Sequence, residues 1–230
     1  SLTALKQVVF EQRRVSPAEV ALALRANFVG YDRVHALLSR RASKYGNDDG
    51  EADEMAQRLV ERVARSFSRF KAPRQGRYQL GYWSITMHTG FGSLTGSLPN
   101  GRLEGTPLAS GATPVSGVAR LGPTASLAST AKLPARYIAN GIANNHKFSR
   151  SLLARPEKRE LLTHLLGGYF KRGGMQIQFT VQNRKTLLAA QKNPAAHRDL
   201  LVRVSGYTAY FCELNKRMQD EIIAREEDAL

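Results

Sequence analysis

The chain has 230 residues, with 34 Lys and Arg against 19 Asp and Glu, one cysteine and a hydrophobic share of 42%. That profile excludes a disordered tail, a collagen-like fibre and a disulfide scaffold, and at this length a compact unit buries about 70% of its extended-chain surface without staples. No run approaches the roughly 18 to 20 apolar residues that span a bilayer, and residues 1 to 14 carry too short an apolar run for a signal peptide, so a cytoplasmic protein with no membrane partner is expected.

Ser16, Pro17 and Glu19 predict a helix start: a capping hydroxyl, a proline whose missing N–H costs nothing at the first position, and a carboxylate three residues after the cap. That helix runs to about Gly30. A second is expected from about Asp32 to Arg41, and a third from about Glu51 to Phe70, with Met55, Leu59, Val63 and Phe67 on one stripe. Residues 81 to 122 hold 9 of the 19 glycines, so short strands and irregular loops are expected there. A helix follows over residues 157 to 169. Met175, Ile177, Phe179 and Val181 then alternate with Gln176, Gln178, Thr180 and Gln182, the period-two pattern of a strand with two different faces. A helix from about Lys185 to Lys192, a strand over residues 200 to 204, a loop, and a last helix from about Glu213 to Arg225 complete an α/β pattern.

The formal charge is +15, with the basic excess spread over residues 1 to 204, and residues 205 to 230 reverse sign with 3 basic and 6 acidic side chains. Such an excess suits a nucleic-acid binder or a subunit that meets an acidic partner, and a solvated basic surface is the plain alternative. The histidines at 35, 88, 146, 164 and 197 lack metal-ligand spacing, and Cys212 has no partner cysteine, so neither a metal site nor a disulfide is expected. Residues 90 to 96 have the glycines of a phosphate-cradling loop but not its GK[ST] ending, and a loop is the better account. Tyr169, Phe170, Lys171 and Arg172 between paired glycines read as a helix end and strand entry in preference to a base-stacking patch.

The segment Arg203-Val204-Ser205-Gly206-Tyr207-Thr208-Ala209-Tyr210-Phe211 resembles the C-terminal fingerprint of the glycyl radical enzymes, the pyruvate formate-lyase-like family. Residues 173 to 179 look like the strand before that family's radical loop, and residues 219 to 223 like its closing helix. Residues 44 to 49, 98 to 102, 109 to 114 and 122 to 125 resemble segments of its catalytic barrel, in the family's order.

The resemblance implies the C-terminal part of a ten-stranded β/α barrel built from two half-barrels. Residues 1–172 would belong to the barrel, helical over 1–75 and rich in strands and loops over 78–150, and residues 173–230 would form the glycine radical domain. It implies that Gly206 is the catalytic residue, a backbone radical installed by a radical S-adenosylmethionine activating enzyme, with no cofactor bound by the chain itself. A Cα radical is stabilised when the centre flattens, and a Cβ would crowd it. The family passes the radical to a thiyl cysteine that acts on substrate, and such a cysteine belongs on a segment N-terminal to everything in this chain. The expectation is therefore a split or cleaved enzyme, inactive without a cysteine-bearing large chain, in a hetero-oligomer that performs C–C or C–X bond chemistry of lyase or transferase type.

Cys212, six residues past Gly206, is read as a small buried hydrophobe, and His88 as a residue near the substrate loops. The wording of residues 173 to 179 and 203 to 211 looks nearer to the members that add hydrocarbons to fumarate than to the diol dehydratases. Two other readings stand beside this one: an accessory subunit that replaces an oxygen-damaged radical loop, and a basic nucleic-acid-binding module. Nucleic acid is not the expected partner.

Overall fold

Ser16 accepts the Glu19 backbone N–H at 3.1 Å and opens the Pro17–Arg25 helix as its sequence predicts. The computed structural model describes residues 1–225 and 228. Leu2–Ala4 continues into a π-helical turn, Leu5–Glu11, and Asp32–Ala36 into another, Leu37–Arg41. These helices close on a core that includes Val8, Val20, Ala23, Val34 and Leu38.

The Gly50–Phe67 helix starts where Asp49 accepts the Ala52 N–H at 3.0 Å. Its buried face is Ala52, Asp53 and Val60, while Leu59 and Phe67 of the apolar stripe are about half exposed. The helix turns this way because Asp53 points inward to Lys132 Nζ at 2.6 Å.

Residues 81 to 122 differ from expectation. They contain a helix, Met87–Leu94, and lead into another, Gly122–Ala131. The former includes Gly90 and Gly92, so the phosphate-loop-like stretch is mostly helical. Gly92 is required by packing: a Cβ there would lie 2.6 Å from the Thr106 carbonyl oxygen.

Among the described residues four strands form two pairs. β1 (Asn145–Phe148) lies parallel to β2 (Gln178–Val181), with Asn145 opposite Gln178, and the Pro156–Lys171 helix lies between them in sequence. β3 (Leu201–Arg203) and β4 (Thr208–Tyr210) are antiparallel, with Arg203 opposite Thr208. The stretch expected to be loop after residue 204 is thus a hairpin. The pairs are joined through side chains, because Thr180 Oγ1 bonds both the N–H and the C=O of Arg203 at 3.2 Å and Gln182 Nε2 donates to Leu201 O at 3.3 Å.

The Arg184–Lys192 helix follows β2, and the Lys216–Ala224 helix closes the chain, starting later than the sequence suggests because Asn215 accepts the Met218 N–H at 3.0 Å. Leu187, Val202, Val204, Phe211, Met218 and Ile222 pack into one apolar cluster beneath the hairpin. Among the described residues no helix is long and apolar enough to cross a membrane.

Candidate functional site

The β3–β4 hairpin turns at Ser205-Gly206, closed by a bond from the Val204 N–H to the Tyr207 carbonyl at 3.0 Å. Gly206 sits at the tip with φ +93° and is exposed, and a Cβ built there would meet nothing within 4 Å. Glycine is therefore favoured by the left-handed backbone and not by lack of space.

Both peptide groups of Gly206 are held. Its N–H donates to Gln178 Oε1 at 3.3 Å, and its carbonyl accepts from Arg203 Nη2 at 3.3 Å. The same guanidinium donates through Nε to Gln178 Oε1 at 2.8 Å and through Nη1 to Thr208 Oγ1 at 3.0 Å. Gln178 is fixed in turn, since its amide donates to Asn145 Oδ1, and Asn145 donates to Ser110 Oγ at 2.9 Å. This inverts the usual strand pattern: Gln178, Thr180 and Gln182 are buried, whereas Phe179 and Val181 are only half buried. The polar face is inward because its groups find partners there, which removes most of the cost of burying them.

A second polar chain supports the loop from the side. Ser205 Oγ accepts from Ser84 Oγ at 3.4 Å, Ser84 meets His88 Nδ1 at 2.9 Å, and His88 Nε2 faces Glu221 Oε2 at 3.5 Å. Arg225 donates to Glu221 Oε2 at 2.9 Å and to the carbonyls of Arg203 and Val204 at 2.8 Å. Burial alone would raise the Glu221 carboxyl, but the His88 contact and the Arg225 charge outweigh it and hold it below its ordinary value. Ser205, Gly206 and Tyr207 form one wall of an open cleft of about 550 Å³, opposite Trp83, Ile85 and residues 140–143. Ile85 has φ +52°, a conformation that costs a β-branched residue about 1–3 kcal/mol.

The family model described as "Glycine radical" matches residues 108–212, and "Pyruvate formate lyase-like" matches residues 1–92. The chain belongs to the glycyl radical enzyme family. It superposes on the glycerol-bound B12-independent glycerol dehydratase of Clostridium butyricum with a TM-score of 0.97 and 40% identity, covering 100% of this chain and 29% of that one. A probable dehydratase of Escherichia coli, YbiW, is 39% identical over 100% of this chain and 30% of its own length. Trans-4-hydroxy-L-proline dehydratase of Clostridioides difficile is 37% identical over 99% of this chain and 29% of its own. The chain thus spans about 30% of these curated relatives and corresponds to the C-terminal portion of a larger glycyl radical enzyme fold.

Within this glycyl radical fold the sequence-predicted residues separate. His88 does not line the cleft; it is fully buried in the Met87–Leu94 helix, beneath the loop and behind the Ser84 that meets Ser205. Cys212 packs against the apolar cluster with its thiol donating to His197 O at 3.2 Å, and burial, with the Asp199 charge, raises its pKa. Tyr169 to Arg172 end a helix ahead of Gly173, whose φ is +96°, as the paired glycines suggest.

Sequence reasoning missed Gln178, Asn145, Glu221 and Arg225 as site residues. Only the polar face of β2 gave a signal for the first of them.

Proposed function

We propose that this chain is the radical-bearing portion of an enzyme that eliminates water or another small leaving group, with Gly206 as the store of the unpaired electron. The observation that carries the reading is Gly206 itself: an exposed glycine in a left-handed turn, its N–H and C=O both engaged, at the tip of a hairpin seated on an apolar core. A radical S-adenosylmethionine activating enzyme removes one hydrogen atom from the Gly206 α-carbon. During turnover that carbon regains a hydrogen atom from a cysteine thiol, leaving a thiyl radical that takes hydrogen from substrate; the transfer reverses after each cycle. The dehydratase and lyase relatives support elimination as the reaction class.

The sulfur is assigned to the remainder of the enzyme, either a region N-terminal to this chain or a partner chain, because the one cysteine here is committed to packing and to the His197 carbonyl. In this reading residues 1–172 complete the barrel and 173–230 carry the radical, and the parallel β1–β2 pair crosses that division.

The test is anaerobic activation of the complete protein followed by electron paramagnetic resonance. A glycine-centred doublet is expected, and Gly206→Ala abolishes it. Because the added methyl meets nothing within 4 Å, that variant loses only about 1–2 kcal/mol to backbone strain and stays folded. Air exposure after activation cuts the chain between Ser205 and Tyr207. A doublet that survives Gly206→Ala refutes the assignment.

A further inference from the structure

A carbon radical between two peptide groups is stabilised when its nitrogen donates electron density and its carbonyl withdraws it. An acceptor placed on the N–H leaves more density on the nitrogen, and a cation at the carbonyl oxygen strengthens the withdrawal; both act as fixed dipoles aimed where charge shifts. Gly206 has this pair, with Gln178 Oε1 at 3.3 Å from its nitrogen and the Arg203 guanidinium at 3.3 Å from its carbonyl oxygen. We infer that Gln178 and Arg203 are positioning residues that set the electronic character of the Gly206 α-carbon, holding its two peptide groups from opposite ends. The inference rests on Gly206 being the radical carbon.

Three observations argue that the arrangement is built and not incidental. The orientation of the Gln178 amide is dictated by its surroundings. Its oxygen faces two donors, the Gly206 N–H and Arg203 Nε, while its nitrogen faces the Asn145 oxygen, so a flipped amide would oppose donors to donors. Gln178 and Asn145 are 6% and 7% exposed, and a buried amide network is retained only where its groups are satisfied. Finally, one guanidinium touches the Gln178 oxygen, the Gly206 carbonyl and the Thr208 hydroxyl, so the donor side and the acceptor side of the glycine are set by a single rigid fork. A residue needed only to close the turn has no reason to engage both peptide groups.

The experiment measures the doublet of the complete, anaerobically activated protein, with glycine labelled with ¹⁵N in parallel samples. In Gln178→Leu the nitrogen loses its acceptor, spin returns to the α-carbon, the splitting from the remaining α-hydrogen widens and the nitrogen coupling falls. Gln178→Glu supplies a stronger acceptor and shifts both in the opposite sense. Arg203→Met withdraws the cation from the carbonyl and also widens the splitting. Splitting does not depend on radical yield, so a variant that loosens the turn and activates poorly still gives an answer, and the Glu and Met variants decide if the Leu variant does not fold. A parent doublet whose splitting and nitrogen coupling stay unchanged in the variants overturns the tuning role while leaving the radical assignment intact. Absence of a doublet from the activated parent overturns both.

Discussion

Glu221 and Arg225, 8% and 9% exposed at their side chains, form the buried ion pair that anchors the underside of the Gly206 hairpin. Removing the cation in Arg225→Met leaves an uncompensated carboxylate and takes the donor from the Arg203 and Val204 carbonyls, so a loss of about 3–5 kcal/mol in urea unfolding is expected. The pair also carries a pH dependence with a defined sign. The folded carboxyl titrates below its ordinary 4.5, so the unfolded state binds more protons as the pH falls through that range. Stability contributed by Glu221 is full above about 4.5 and is lost below it. Glu221→Gln removes that acid limb, and equal acid sensitivity in the two proteins contradicts the assignment. Neither residue was legible as part of the site, because a Glu and an Arg four apart on a terminal helix have the spacing of an ordinary solvent-exposed pair. Gly206 stands out as a candidate from the sequence, since its neighbours carry a fingerprint. Gln178 was legible only as a face: alternation shows that a strand has two sides but not which one is buried.

Capping and periodicity foretold the elements whose stability is local. Ser16 caps the helix it was expected to cap, and the Arg184–Lys192 helix ends before Pro194. Where tertiary contacts decide, the sequence misleads. β1 is the segment Asn-His-Lys-Phe, all four residues buried, which no hydrophobic pattern announces; its polar side chains are met by Ser110, by Asp228 and by carbonyls of residues 223 and 225. The Met87–Leu94 helix hides behind its glycines for a related reason. Gly92 lets the helix lie against the Thr106 and Pro107 backbone, and Arg102 reaches the Gly92 carbonyl at 2.6 Å and the Gly96 carbonyl at 2.8 Å, satisfying the helix end. Gly92→Ala sets two effects against each other. Helix propensity favours alanine by about 1 kcal/mol, whereas overpacking against backbone that cannot swing aside costs about 1–3 kcal/mol. Net destabilisation is expected in thermal unfolding, and a stabilised variant would mean that the 92–107 contact yields more readily than its geometry implies.

Across the whole molecule, three of the four segments that the resemblance drew from distant parts of the chain converge on one place, and the fourth opens the helix whose Ser129 reaches it. Gly46 packs so closely on Pro114 that a Cβ would lie 2.4 Å from it, Asn47 bonds Val118 O at 2.7 Å and the Arg120 N–H at 2.7 Å, and the Asp48 N–H donates to Ser129 Oγ at 2.9 Å. Lys44 joins the second segment, donating to Asn100 O at 3.2 Å and to Leu38 O at 2.8 Å. Motif order was legible, but this meeting point was not, because nothing local encodes contacts some 60 to 80 residues apart. The convergence places a cation against its own kind: partial burial first, and then the Arg120 charge, lower the Lys44 pKa from 10.5 to about 8. Between those two values the folded protein has released a proton that the unfolded chain still holds, so stability rises with pH across that window. Below about 8 both states are protonated, and the folded state bears the full strain of a charged amine beside Arg120. Chemical unfolding of the parent from pH 7 to 10.5, compared with Lys44→Met, isolates the effect from the other lysines, whose titration is common to both proteins. The parent gains stability relative to the variant as the pH rises; a constant difference between the two would place Lys44 in solvent and dissolve the cluster as a charged junction.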